Sequence, residues 1–378
     1  MYNVLAYGKM IADGPRTDAY VTALRNTIGP DSVVVDLGSG PGLFALIACR
    51  LGARRVFAIE SEDIIQVGRD AARELGCADR IEFIQNVSTK VTLPEQANVI
   101  VSDLHGVLPF FKHHIPSIID ARSRLLARGG VLIPSRDRLW AAVVEAPAQY
   151  SNLVSPWEGN GNGVVLNSAR NLAVNIGGKI RVTPENLLGE PVCWYELDFH
   201  QVEEANVCEK ISLPIDRKGT AHGLAVWFDA ELLRAGFSNA PGRTELIYGN
   251  AFFPFQQPLE VLPEDRIDVR LEARLIGDDY AWRWDTTLLS QGNAKCSFKQ
   301  STLLGAPLSA SQLRKRTGAY VPEANEEGAI TGFVLLQMDG KNSNEQIAAQ
   351  LMKHFPHRFR DHHDALDAVF EVSEKYCV

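Results

Sequence analysis

At 378 residues, 46% hydrophobic and 22% charged, the chain is long enough for two or three domains with cores of their own and too apolar to be disordered. Its 38 Lys and Arg against 46 Asp and Glu give a formal net charge of −8, which argues against a protein built mainly to grip nucleic acid or an anionic membrane. No apolar run approaches the roughly 18 residues of a membrane span. The start Met1-Tyr2-Asn3-Val4-Leu5-Ala6 has no basic segment of a secretory signal, and the six scattered cysteines form no C-x-x-C pair. These features suit a reducing cytoplasm.

In chain order, Val33-Val34-Val35-Asp36 reads as a buried strand and Gly42 to Leu51 as a helix. Arg55 to Glu60 is a second strand and Asp63 to Leu75 a second helix. Further strands are expected at Arg80 to Gln85, Ala97 to Ser102 and Gly130 to Ile133, with a helix at Ile115 to Leu126. Strands alternating with helices predict right-handed βαβ units and a mostly parallel sheet. After about Pro147 the texture changes. Cys193 to Phe199 and Gly223 to Phe228 are rich in β-formers, and Arg266 to Ala273 alternates with period 2, as a half-solvated antiparallel strand should. Between them lie the polar run Gly159-Asn160-Gly161-Asn162-Gly163 and a helical piece near Asn167 to Asn175. From about Glu326 onward Ile347, Leu351, Phe355, Leu366, Val369 and Phe370 recur at helical intervals. The expected organisation is an α/β domain over 1–147, an antiparallel β domain over 148–302 and a helical tail over 326–378.

The strongest local signal is Val35-Asp36-Leu37-Gly38-Ser39-Gly40-Pro41-Gly42 at a strand-to-helix junction. Glycines there permit a tight turn and close approach of a ligand to the backbone beside a helix N-terminus. Asp36 precedes the loop, and Glu60 ends the next strand, where a carboxylate can accept from ribose hydroxyls. A dinucleotide site would want G-x-G-x-x-G, but Gly42 arrives one residue early. An acidic loop suits a cofactor with a cationic, amino-acid-like end, which is S-adenosylmethionine rather than NAD.

D-L-G-S-G-P-G at 36–42 followed by G-A-R-R-V-F-A-I-E at 52–60 resembles class I S-adenosylmethionine methyltransferases, specifically the protein arginine methyltransferases. Tyr7-Gly8, Met10 to Asp13 and Arg16-Thr17 are similar to that family's N-terminal cofactor lid. Leu132-Ile133-Pro134 is similar to its passage from Rossmann domain to β-barrel, and Phe237 through Val261 to a barrel segment. The resemblance implies a Rossmann-like methyltransferase domain, then an antiparallel β-barrel for substrate and dimerisation. It also implies that Arg16 pairs with the cofactor carboxylate, with Tyr7 and Met10 in the lid. Asp36, Gly38, Ser39, Gly40 and Gly42 would run along the methionine part, Glu60 and Ser61 would hold the ribose, and Val87 and Ser88 would lie near the adenine. Residues of roughly 160 to 190 occupy the place of the family's dimerisation arm, which implies a homodimer.

The family's acceptor chemistry is altered. Its arginine is held by two glutamates in the loop after the fourth strand, and here those positions carry Asp103 and Lys112. Its Thr-His-Trp barrel motif falls on Leu246-Ile247-Tyr248. Ordinary protein arginine methylation is therefore not expected. Asp103 and His105 are expected at the mouth of the acceptor site, either of them able to orient or deprotonate an acceptor. His113-His114 and the tail histidines 354, 357, 362 and 363 lack any metal-ligand pattern and are expected on solvated faces, with no metal site.

Thr331 to Lys341, then Ser343, Glu345, Gln346, Ile347, Ala348 and Leu351, resemble the helical half of a PqqD-like domain. That small winged-helix module binds leader peptides of ribosomally made, modified peptides. The alternative is a plain helical cap on the barrel. The expected function is methylation of a peptide or amino-acid-like acceptor in natural-product biosynthesis. A small-molecule methyltransferase with a structural tail, or a non-catalytic partner-binding protein, is the alternative.

Overall fold

Val33–Leu37 (β1) is buried on both faces, as five consecutive apolar or shielded residues in the middle of a parallel sheet must be. The computed structural model describes residues 3–159 and 163–377; Met1 and Tyr2 of the start, Asn160-Gly161-Asn162 of the polar run and Val378 lie outside the described residues. β1 is flanked by β2 (Arg55–Glu60) and β4 (Ala97–Ser102), with β3 (Ile81–Gln85) and β5 (Leu126–Ile133) outside them, in the order β3-β2-β1-β4-β5 and all parallel. The order reverses between β1 and β4, so a crevice opens at their carboxyl ends, where ligands of such sheets bind. Helices α1 (Val4–Ile11), α2 (Gly14–Thr27), α3 (Leu43–Arg50), α4 (Ile65–Glu74) and α5 (His114–Arg124) complete this part. The last ends ahead of the expected Leu126, because the chain passes directly into β5.

The change from parallel to antiparallel pairing comes at Ser135, ahead of the 1–147/148–302 division expected from composition. β6 (Arg136–Val144) already pairs antiparallel with β8 (Val192–Asp198) and β10 (Gly219–Glu231). After β6 come α6 (Pro147–Val154), α7 (Asn167–Ala173) and β7 (Gly178–Ile180), and later β9 (Val207–Pro214), β11 (Gly236–Ser238) and β12 (Asn250–Val261). The remaining strands are β13 (Arg266–Ile276), β14 (Asp279–Ser290) and β15 (Asn293–Phe298). They form two antiparallel sheets, β7-β12-β10-β6-β8 with β11 on β10, and β15-β14-β13-β9. The expected barrel is thus two sheets around a shared core, and among the described residues no ladder of hydrogen bonds joins them into a closed ring. Inward residues of both sheets, including Phe228, Phe255 and Trp284, are fully buried in that core. Phe110, from the loop after β4, packs edge-on against Tyr280 and Trp282 at 5.5 and 5.9 Å, which pins that loop to the antiparallel part.

Residues 308–377 form a separate compact unit. It contains α8 (Ala310–Lys315), α9 (Glu326–Gln337), α10 (Asn344–His354) and α11 (His362–Tyr376). Its core is Ile330 and Val334 of α9, Ile347, Ala348 and Leu351 of α10, and Ala365, Val369 and Val372 of α11. Ser343 and Gln346 make a reciprocal capping box at the start of α10. No strand occurs among the described residues of this unit, so the β-hairpin of a winged helix is not formed there. Residues 308–325 carry Arg314, Lys315 and Arg316 in a row, and Leu308, Leu313, Tyr320 and Val321 are all exposed, so no alternating apolar face is buried there. Among the described residues no helix is long and apolar enough to cross a membrane.

Candidate active site

The glycine loop leaves β1 and turns back under β2, the N–H groups of Gly38 and Ser39 both donating to the Ile59 carbonyl at 2.9 and 3.0 Å. Gly38 and Gly40 adopt φ of 70° and 53°, where a side chain is strained. A Cβ on Gly38 would strike the Leu104 side chain, and one on Gly40 would come within 2.8 Å of the Tyr7 ring. The expected lid residue Tyr7 therefore sits directly over the loop. Glu60, 9% exposed, accepts the Gly40 N–H at 2.9 Å on one oxygen and the N–H groups of Ser61 and Glu62 on the other. Asp36 lies behind the loop, accepting the Ala45 N–H in the first turn of α3 at 2.8 Å. Burial pushes its carboxyl up to about 7, against the pull of that N–H. Val87 is half exposed beside the carboxyl end of β3, and the Ser88 carbonyl accepts from Arg124 of α5 at 3.1 Å.

Beneath the crevice runs a buried chain of charges. Asp137 Oδ2 and Asp103 Oδ1 hold the two ring nitrogens of His105 at 2.8 and 2.9 Å. Asp103 also accepts the Tyr248 hydroxyl at 2.8 Å and pairs with the Arg16 guanidinium through Nε and Nη2. Arg16 Nε lies 3.1 Å from the Tyr248 hydroxyl, and Nη1 donates to the Met10 carbonyl at 3.1 Å. The imidazole is stacked on Phe228 with ring centroids 4.9 Å apart and an interplanar angle of 6°.

Burial opposes a charged imidazole, but Asp137 and Asp103, each hydrogen-bonded to it, raise His105 to about 9. Burial likewise opposes the Asp103 carboxylate, yet the Arg16 charge and the hydrogen bonds from His105 and Tyr248 hold it well below the ordinary carboxylate range. Asp137 is raised by burial, which the His105 charge only partly offsets, and its Oδ1 has no partner. At neutral pH His105 is thus an imidazolium and Asp103 a carboxylate beside the Arg16 guanidinium, while the Asp137 carboxyl holds the other ring nitrogen.

The structure brings Arg16, Asp103 and His105 together away from solvent, with the partly exposed Met10 at their edge through its carbonyl. The expectation that Asp103 and His105 lie at an open acceptor mouth does not match this placement: the His105 side chain is 0% exposed and that of Asp103 8%. Strand alternation supplies the reason. The loop after β4 runs under the antiparallel part, where Asp137 faces inward in phase with Leu139 and Ala141. Lys112 is exposed, its ammonium over the Phe111 ring at 5.4 Å and its backbone N–H on Asp279, so it does not oppose Asp103 in a shared pocket. His114 is buried rather than solvated, bonded to the Pro109 carbonyl at 2.9 Å, and burial beside His105 lowers it to about 3. Leu246 is buried, Ile247 donates its N–H to Asp13 at 2.7 Å, and Tyr248 joins the network. Asp137 and Tyr248 were not picked out from the sequence. The signal for Asp137 was a carboxylate in the apolar phase of Arg136-Asp137-Arg138-Leu139-Trp140-Ala141.

The residues of the crevice fit a nucleoside–amino-acid cofactor. Ser39 Oγ is buried without a partner, Glu60 Oε2 has accepting capacity left beside the Gly40 N–H, and Gly38 and Gly40 hold the turn at positive φ. Arg16 is the exception to a simple fit. Asp103, Tyr248 and the Met10 carbonyl already take most of its five N–H groups. A ligand carboxylate would have to share the guanidinium with Asp103.

Two outcomes follow from this geometry. Gly40→Val places a branched side chain at φ 53° against Tyr7, and Glu60→Ala frees the Gly40 N–H; each should weaken S-adenosylhomocysteine by about tenfold in calorimetry. His105, raised from 6.5 to about 9, gives stability that is complete below its unfolded value and lost as pH rises through the folded one. Wild-type stability should therefore drop by about 3 kcal/mol between pH 6.5 and 9, measured by urea unfolding. A His105→Gln variant should be less stable and lack that slope; an equal slope in both would assign it to other groups.

Known proteins share both the fold and the sequence pattern. Residues 135–282 match the arginine methyltransferase oligomerization subdomain, and residues 12–141 match the ribosomal protein L11 methyltransferase (PrmA) family. A probable protein arginine N-methyltransferase 6 from Arabidopsis thaliana is 28% identical over 247 residues, covering 63% of this chain and 56% of that protein. The ribosomal protein arginine N-methyltransferase rmt3 of Schizosaccharomyces pombe is 28% identical over 58% of this chain, which spans 41% of its length. The protein arginine N-methyltransferase 6 of Danio rerio is 27% identical over 70% of this chain and 80% of its own. Among solved structures, the Trypanosoma brucei PRMT1 enzyme–prozyme heterotetrameric complex with AdoHcy superposes with a TM-score of 0.72 at 19% identity, covering 78% of this chain and 96% of that one. Arabidopsis thaliana protein arginine methyltransferase 10 does so with 0.70 at 20% identity, covering 79% and 97%. In sequence and in fold the chain is thus similar to protein arginine methyltransferases, and it spans 56% and 41% of the length of the first two of these relatives.

Proposed function

We propose that the chain methylates a peptide or amino-acid-like acceptor other than an ordinary protein arginine, as a cytoplasmic step of natural-product biosynthesis. The observation that carries this reading is the commitment of Asp103. Its two oxygens already take His105, Tyr248 and Arg16, so the first acidic position of the family's acceptor loop offers no free carboxylate to a guanidinium. The second position is Lys112, turned to solvent.

In this reading Glu60 and Ser61 hold the ribose, Val87 and Ser88 flank the adenine, and Gly38, Ser39, Gly40 and Gly42 line the methionine part beside Asp36. Tyr7 and Met10 close over it and Arg16 meets the carboxylate. S-adenosylmethionine supplies a methyl group on a sulfonium, the electrophile of an in-line displacement. The chain supplies positioning, which accounts for most of such an acceleration. His105 is already protonated at neutral pH and Asp103 is a weak, sealed base, so neither draws a proton from the acceptor. They serve as positioning residues that fix Arg16.

The helical unit at 308–377 is assigned to a leader peptide, on its resemblance to the PqqD-like helices. A short precursor-peptide gene beside this one, whose product binds the full chain, is the outcome expected; a neighbourhood without such a gene favours a small-molecule acceptor. In a radiolabelled methyl-transfer assay, arginine-rich histone-like peptides should stay at background. Lys112→Glu should not raise that activity, since the exposed side chain lies outside the network. Methylation of the arginine peptide by the unmodified protein would overturn this reading.

The matched oligomerization subdomain and the exposed Val164, Val165 and Leu166 ahead of α7 support a two-fold homodimer through the arm at roughly 160 to 190. Light scattering should give about twice the 41.6 kDa of one chain; a single-chain mass at micromolar concentration rules the dimer out.

A further inference from the structure

The outer face of the sheet β15-β14-β13-β9 carries charges of opposite sign to the chain as a whole. Period-2 alternation turns Ile267, Val269 and Leu271 of β13 into the core and Arg270, Glu272 and Arg274 outward. The cross-strand register places Lys210 beside Arg270 on one side and Asp285 on the other, with Arg283 beside Glu272. Two adjoining clefts of about 470 and 340 Å³ lie over this face and share Arg270 and Asp285.

Five cations line them: Lys210, Arg270, Arg274, Arg283 and Lys299. Only three carboxylates do, Asp268, Glu272 and Asp285. All three are already used: Asp268 lies 3.6 Å from Arg266 and accepts the Ser212 hydroxyl at 2.7 Å. Glu272 takes Arg270 and Arg274 at 3.1 and 2.7 Å, and Asp285 takes the Arg283 fork with both oxygens 2.9 Å from Nε. Lys210 and Lys299 are exposed and have no carboxylate partner among the described residues. The larger cleft is rimmed by half-exposed apolar side chains, Ile276 at 51% and Leu303 and Leu304 at 56% each. A positive surplus on a chain of net charge −8, beside apolar side chains, is complementary to a segment that mixes carboxylates with aliphatic residues.

We propose that this face docks an acidic, aliphatic segment of the peptide substrate, away from the methyl-accepting residue. The inference rests on the peptide-acceptor reading and deepens it: the acceptor is delivered by a remote acidic segment held at the lysines and arginines of β9, β13 and β14. Remote binding of this kind localises a substrate without asking anything of the reacting centre.

The test uses the full chain and a short fluorescein-labelled peptide of glutamate and leucine, with its lysine–leucine counterpart as control, in fluorescence anisotropy. The acidic peptide should bind, the basic one should not, and affinity should fall as salt rises. Lys210→Glu combined with Lys299→Glu, both on exposed positions, should weaken it by about tenfold or more. Calorimetry with S-adenosylhomocysteine on the same preparations should give equal affinity for wild type and double variant. Absence of binding to the acidic peptide, or equal binding by the double variant, overturns the proposal, as does equally tight binding of a single-stranded RNA of matched charge. Failure of S-adenosylhomocysteine to bind wild type would instead strike the methyltransferase reading and leave the docking result standing.

Discussion

The imidazolium of His105, held between the carboxyl groups of Asp137 and Asp103, is the interaction on which the crevice depends. Asp137 belongs to the antiparallel part, Asp103 to the loop that ends the parallel sheet, and Arg16 to the helix that covers it, so one line of hydrogen bonds ties three segments together. Inside a poorly polarisable interior each member is costly alone and tolerable only because its neighbours carry the opposite sign. Removing one charge leaves another uncompensated. The stacking of His105 on Phe228 fixes the ring plane, so the hydrogen bonds keep their direction.

In the proposed reading, that arrangement re-aims the scaffold toward another acceptor. The glycine loop and Glu60 occupy the carboxyl end of the sheet at its switch point, where backbone turns rather than side chains set the shape. In the same proposed reading, acceptor choice rests on side chains in the loop after β4. There Asp103, one methylene shorter than glutamate, is drawn down into the network instead of reaching outward, and Phe110 anchors the loop in an aromatic cluster. Lys112 follows at φ 43°, a left-handed turn that carries its side chain out over Phe111. The same fold can hold one methyl donor while changing what it meets, because the two tasks sit on different elements.

The outward faces add a further layer. A chain with excess acid keeps a net positive patch on the β9–β13–β14 face, where carboxylates are already paired with arginines and the two lysines are not. Under the docking proposal, a peptide acceptor long enough to span from the crevice to such a patch gains affinity without altering the reacting groups.

Much of this was legible in the residues alone. The run Val33–Leu37, the glycines that follow and the acidic end at Glu60 report local geometry, namely period, turn and strand end, which a sequence encodes directly. The capping box at Ser343 and Gln346 was readable for the same reason. What the residues alone left open was the partner of each charge. Asp103 and His105 read as an open catalytic pair because their neighbours in sequence are loop-like, whereas Asp137, Tyr248 and Arg16 reach them across separations of 32, 145 and 87 residues. Likewise Lys112 reads as facing Asp103 and is instead turned away by a backbone torsion. Pairing across the chain is decided by which strand face turns inward and which loop is pinned beneath it, and burial then makes each charge demand an opposite partner; that information exists only once the sheets have packed.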